Sequence, residues 1–237
     1  IKSGEIGDAV TISQTENVAY WHDAHSYVRG AWRNKEESSP MILAKCCHDL
    51  DIIFWLLGKK CKKVSSFGDL YYFKKENAPE GSADRCFKCD KTVRKDCPYD
   101  AFKIYNDIYK AYNPILGNAM DFRGTRREYI DKLLSDETYP YGRCVFACDN
   151  DVVDHQVVNM LFEGNVTAQL TMTAFSKDCH RCIKVHGTLG ETVADMEENS
   201  ILVKPFRSDD YVIDITKYAT DLTVHGGGDK LLFEDFV

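Results

Sequence analysis

The stretch "VVDHQVVNMLFEGNVTAQLTMTAF", residues 152–175, constrains the fold more than any other part of the chain. In its second half Val166, Ala168, Leu170, Met172 and Ala174 alternate with Thr167, Gln169, Thr171 and Thr173. A period of two puts the first set on one face of a strand and the second on the other. "EGN" between the halves is a hairpin signal, so the two runs pair as neighbouring antiparallel strands. A sheet that is apolar on one face only must have that face covered, and helices are the remaining material to cover it.

More strands surround this pair. Residues 6–20 and 63–73 have strand composition, and "RCIKVHGTLGETVADM", with a turn at Leu189–Gly190, "ILVKPF" and "DYVIDIT" extend the set. Helical spacing is confined to the first 135 residues, at 41–57, 99–112 and 126–135, the first closing on Gly58 as a C-cap. The expected class is therefore α+β: an open, mainly antiparallel sheet with helices packed on one face. Residues 1–237 read as a single domain, with an irregular cysteine-bearing insert at 76–98.

The net charge of −7 argues against nucleic acid or an anionic membrane as partner. No apolar run approaches the ~20 residues needed to span a bilayer. No basic segment followed by an apolar one opens the chain, so the expected location is the cytoplasm. Nothing marks the ten cysteines as a secreted disulfide framework, and they are read as reduced.

"MILAKCCHDLDIIFWLLG", 41–58, carries polar groups inside an apolar helix. Leu43, Cys46, Leu50, Ile53, Phe54 and Leu57 fall in one apolar arc. His48, Asp51 and Trp55 lie on the far side, flanked by Lys45 and Asp49. Two readings stand: a solvated helix face, or an imidazole beside an ammonium and a carboxylate that works as acid and base near neutral pH.

"HDLDIIFWLLG" resembles the histidine-bearing helix of the glucose–fructose oxidoreductase / inositol dehydrogenase / MocA family. "SGEIGDAVTI" resembles the opening of that family's second domain, "HGTLGETVADM" its Gly-Thr-x-Gly-Glu hairpin, and "HGGGDKLLFEDFV" its Gly-Gly-Gly-Asp segment. The resemblance implies a dihydrodipicolinate-reductase-like C-terminal domain for substrate binding and oligomerisation. It also implies an N-terminal nucleotide-binding domain, for which this sequence has no G-x-G-x-x-G fingerprint. NAD or NADP would be bound mainly by that other domain, and the present chain by itself is expected to be inactive. His48 falls on the family's catalytic histidine. Where the family often has aspartate four residues earlier, this chain has Ala44 with Lys45 beside it, and Lys45 is the candidate for the polar role there.

"HDAHSYVRGAWRN", with His22, His25, Arg29, Trp32 and Arg33, is similar to a segment of cysteine-insert relatives that leads to the active-site helix. His25, Arg29 and Trp32 are its substrate-binding candidates, Arg29 for a carboxylate or hydroxyl and Trp32 for a sugar ring. The alternative is a surface loop with amphipathic aromatics. Asp154 and His155 are further candidates for the substrate cleft, although alternation points them to opposite sheet faces.

The spacing C-x2-C-x7-C at Cys86, Cys89 and Cys97 supplies three thiols of the four that structural zinc requires. The fourth is assigned to Cys144, with Cys148 or a histidine as alternatives. Zinc would order a long loop of low apolar content; the competing reading is a loop of reduced cysteines.

Two function classes follow. The favoured one is the C-terminal domain of an NAD(P)-dependent oxidoreductase acting on a sugar, polyol or related hydroxyl compound, with an NAD-dependent glycoside-cleaving enzyme as a near relative. The other is a noncatalytic, zinc-stabilised assembly or binding domain. In the favoured reading the partner is a small sugar-like molecule, and the polar sheet face mediates a homodimer or homotetramer.

Overall fold

The computed structural model describes residues 1–109, 113–116, 123–218 and 228–236. Among the described residues eight strands form one open sheet: β1 (Ala9–Asn17), β2 (Cys61–Asp69), β3 (His155–Phe162), β4 (Thr167–Thr173), β5 (His180–Gly187), β6 (Gly190–Asp195), β7 (Ser200–Pro205) and β8 (Tyr211–Asp214). Their order is β2-β3-β4-β1-β5-β6-β7-β8. β1 runs parallel to β4, from Thr11 opposite Thr167 to Asn17 opposite Thr173, and every other pairing is antiparallel. The α+β expectation is met. The hairpin at "EGN" is present, with Gly164 and Asn165 at φ 74° and 61° and Phe162 N–H donating to the Val166 carbonyl.

The two sheet faces divide as the alternation requires. Ile12, Val158, Met160, Ala168, Leu170, Met172, Ile183 and Val185 pack under the helices in the main core. Thr11, Ser13, Asn159, Gln169 and Lys184 line the uncovered face, in register across four strands. Each large aliphatic side chain taken from water on the first face contributes about 1.5–3 kcal/mol, so that face fixes which side of the sheet the helices cover.

The helices are α1 (Tyr20–Asp23), which widens into a π-wound turn over Ala24–Arg29, α2 (Met41–Ala44), α3 (Cys47–Leu57), α4 (Lys91–Asp96), α5 (Ala101–Lys103), α6 (Arg126–Leu134) and α7 (Gly228–Phe236). The single helix expected at 41–57 is broken at Lys45 and Cys46, which leave helical geometry at φ −122°, ψ −48° and φ −90°, ψ 6°. Gly58 closes α3 as foreseen, in the left-handed region at φ 58°, with its N–H on the Phe54 carbonyl. The apolar arc is rotated from the expected one. Met41, Cys46, Asp49, Ile53 and Leu57 face the sheet, while Leu43 and Phe54 are exposed. The strand expected at 63–73 ends at Asp69, because the Asp154 carboxylate accepts the N–H groups of Tyr71 and Tyr72 and turns the chain away.

Residues 70–148 with α1 build a second core, from Val28, Phe73, Tyr99, Ile104, Tyr105, Ile130, Leu134, Val145 and Phe146. α6 enters it through a capping box, Thr125 with Glu128. Residue range 110–112, within the helix expected at 99–112, lies outside the described residues, as does most of "HGGG".

Candidate functional site

α3 starts above the C-terminal end of β1. There the covered sheet face carries Ile12, then Gln14 and Glu16, both buried. The Asp49 carboxylate is fully buried and accepts from Gln14 Nε2 at 2.6 Å and from Arg181 Nε at 3.2 Å. Lys45 Nζ lies 3.2 Å from Glu16 Oε1, and Arg181 pairs with Glu16 as well. Two carboxylates and two cations thus meet under the first turn of α3. Burial pushes the Glu16 acid above its usual value, against the pull of Lys45 and Arg181. The break before α3 follows from this contact, since Lys45 leaves the helix where its ammonium meets Glu16.

On the other side of the same turn His48 is exposed, with Asp51 and Trp55 in line at helical spacing. Among the described residues His48 has no hydrogen bond or ion pair, so its ring is open to a partner from outside. His22 lies in the electrostatic reach of Lys45 and Arg181. Its ring stacks against Trp21 and Tyr27, and its Nδ1 sits 3.6 Å from the Cys179 thiol. Burial, with those two cations, lowers His22 to about 4, so it is a neutral imidazole at neutral pH.

The other sequence candidates go elsewhere. His25 stacks on Tyr141 at 4.7 Å and bonds the Tyr105 hydroxyl at 2.7 Å; burial lowers it to about 4 and places it in the second core. Arg29 is 1% exposed, and its Nε and Nη2 donate to the carbonyls of Arg143 and Tyr99, each at 2.7 Å. Its guanidinium is walled off from solvent and ties the insert to the π-wound turn. Trp32 is half exposed and Asp154 is buried as the cap of the 71–72 turn. His155 Nδ1 bonds Asp154 Oδ1 at 2.9 Å. In register with Thr173, Asn17 and His180, His155 sits on the sheet face opposite α3. Lys45 and His48 therefore share one turn, while His25, Arg29, Asp154 and His155 do not join them.

The zinc expectation finds no support in the structure. Cys86, Cys89, Cys97 and Cys144 do line one cavity, of about 20 Å³. Among the described residues, however, no three His, Cys, Asp or Glu side chains are placed to hold a metal ion, so the residues present do not fit one. The thiols are engaged otherwise: Cys89 Sγ accepts from the Ala83 N–H at 3.1 Å, and Cys86 Sγ contacts Arg29 Nη2 at 3.7 Å. The buried Arg29 guanidinium lines the same cavity, and a dication beside it would add like charge in a low dielectric. What orders the insert is arginine bonding to main chain, from Arg29 and also from Arg85 to the Tyr139 carbonyl. All ten cysteines are free thiols.

Sequence reasoning missed Glu16 and Arg181. The signal was present in "TISQTEN", where an inward-facing alternation runs from Ile12 to Gln14 to Glu16.

The comparisons agree with this fold. The family described as "Oxidoreductase family, C-terminal alpha/beta domain" matches residues 1–236. The Bacillus subtilis (strain 168) protein named "Putative oxidoreductase YteT" is 22% identical over 99% of this chain; the chain spans 55% of that protein. Among solved structures, the apo form of levoglucosan dehydrogenase superposes with a TM-score of 0.51 at 15% identity, over 90% of this chain and 42% of that one. Levoglucosan dehydrogenase in complex with NADH and levoglucosan gives 0.51 at 13% identity, over 90% and 41%. An oxidoreductase domain protein from Kribbella flavida gives 0.51 at 12% identity, over 91% and 43%. No helix among the described residues is long and apolar enough to cross a membrane. The chain belongs to the glucose–fructose oxidoreductase / inositol dehydrogenase / MocA family of oxidoreductases, of which it is the C-terminal α/β domain.

Proposed function

We propose that this domain forms the substrate wall of an NAD(P)-dependent oxidoreductase acting on a sugar, polyol or related hydroxyl compound. The observation that carries the reading is the two-sidedness of one helical turn. His48 stands exposed and unpartnered among the described residues, while Lys45 and Asp49 on either side of it are anchored in buried charge. A family relative named as an oxidoreductase, and a structural neighbour bound to NADH and levoglucosan, support the class of cofactor and substrate.

In the intact protein the nicotinamide supplies the acceptor or donor of hydride, held by a separate nucleotide-binding domain. This chain's own part is the proton. Removing hydride from a carbinol carbon requires the O–H proton to leave, and the His48 imidazole accepts it; in the reverse direction it returns it. Imidazole suits the step because its unperturbed pKa lies near neutrality. Lys45 acts from beneath, through Glu16. The uncovered sheet face, a lattice of Thr, Ser, Asn and Gln, pairs with a second copy to form a dimer or tetramer.

The test is NAD(P)-linked turnover of the intact protein beside its His48→Asn variant, with cofactor binding measured in both.

A further inference from the structure

The four charges under α3 make a closed ring. Lys45 contacts Glu16, Glu16 contacts Arg181, Arg181 contacts Asp49, and one turn of backbone joins Asp49 back to Lys45. Gln14 adds a fifth tie to Asp49. The strands that supply Glu16 and Arg181, β1 and β5, are paired through Glu16 opposite Arg181 itself. The ring therefore clamps both ends of the turn that carries His48 to two adjacent strands.

Packing does not call for such a clamp, since well-packed apolar side chains serve a buried site as well as or better than ion pairs. What the ring provides is geometry and charge balance. It fixes where α3 begins, and it sets two positive and two negative charges at the turn that carries His48. Asp51, three residues on and exposed, is the carboxylate on the same helix face as His48, while the other titratable groups around the ring are uncharged at neutral pH. His22 is lowered to about 4, Cys46 and Cys179 are raised to about 12 and about 11, and burial raises the Tyr27 phenol.

We infer that Glu16 is a positioning residue for His48, acting through Lys45 and Asp49. This rests on the reading of His48 as the acid/base group. Without the Glu16 charge, Lys45 and Arg181 outweigh Asp49, and a net positive charge lies below the imidazole. Without the Lys45 charge the imbalance is negative. Removing both restores neutrality.

The experiment uses this chain labelled at histidine, as wild type, Glu16→Gln, Lys45→Met and the double variant. NMR follows the His48 titration, and hydrogen exchange follows the amides of residues 46–50. The titration midpoint of His48 is expected to fall by about 0.5 pH unit in Glu16→Gln and to rise by about as much in Lys45→Met. It returns to the wild-type value in the double variant, while exchange at 46–50 quickens about tenfold in each single variant and the central strands stay protected. A purely structural role would not give shifts of opposite sign that cancel. The double variant keeps the test open if a single variant unfolds, because its ring holds no unbalanced charge. An unchanged His48 midpoint and unchanged exchange in Glu16→Gln and Lys45→Met overturn the inference. In the intact protein, Glu16→Gln is expected to lower kcat with KM little changed. If His48→Asn leaves turnover intact while the NMR shifts appear, the acid/base reading falls and the positioning ring stands.

Discussion

Asp49 Oδ1 accepts from Gln14 Nε2 at 2.6 Å in the fully buried seam between α3 and β1, while His48, one residue earlier, faces outward. Adjacent helical positions thus serve opposite purposes. The bond also sets the rotation of α3, since a carboxylate at this depth has no other place to be solvated.

Asp49→Ala leaves Arg181 with one carboxylate instead of two and the Gln14 amide without its acceptor. Breaking a buried ion pair by removing one member costs about 3–5 kcal/mol. Urea denaturation is expected to show a loss of that order with the slope unchanged, the mark of altered stability rather than altered compactness.

Asp23 gives a pH dependence of defined sign. It is fully buried, one carboxyl oxygen has no hydrogen-bond partner, and burial, with Asp154 nearby, raises its acid well above the ordinary carboxylate value. The folded state therefore holds a proton that the unfolded chain gives up. Its stabilising contribution is complete below the ordinary carboxylate pKa and declines as pH rises through the raised folded value. Asp23→Asn keeps the shape and removes the ionisation. The melting temperatures of variant and wild type are expected to match more closely at pH 4 than at pH 8, with the variant ahead at pH 8.

Arg29 holds the insert. Arg29→Leu leaves the Tyr99 carbonyl without its guanidinium donor and the Arg143 carbonyl with only the Cys86 thiol, 3.7 Å away, in the second core. Each buried carbonyl left bare costs about 1–3 kcal/mol. Limited proteolysis is expected to cut the variant within 76–100 while the sheet survives. Arg29→Lys fails similarly, because an ammonium cannot reproduce the fork.

Much of this was legible in the sequence. The alternation from Val166 to Ala174 gave the two-faced sheet, "EGN" the hairpin and Gly58 the end of α3. Periodicity could not show that Asp49, polar and next to a histidine, would be the buried side of the helix. That choice depends on Gln14 and Arg181, which lie 35 and 132 residues away. Arg29 and His25 read as binding groups because loops so often carry them. Their burial comes from a second core that draws on separated segments from Ala24 to Ala174, a long-range property that local spacing does not encode. Cysteine spacing likewise reported proximity correctly, but not the arginine among the thiols.

The uncovered face gives a prediction about assembly. Thr15 and Thr171 are register partners near its middle. If a second copy packs there, Thr171→Arg introduces charges that face each other across the interface. Light scattering is then expected to move from a dimer or tetramer to a monomer, with circular dichroism unchanged. A wild-type chain that stays monomeric at high concentration contradicts the assembly.

In the proposed function, His48 moves the hydroxyl proton. Its most direct measurement is the NAD(P)-linked turnover of the intact protein over a panel of sugars and polyols, with His48→Asn beside it. A fall in kcat of about 10²–10⁴-fold is expected in the variant, with cofactor affinity retained. Equal turnover in both proteins, with cofactor bound equally, would contradict it.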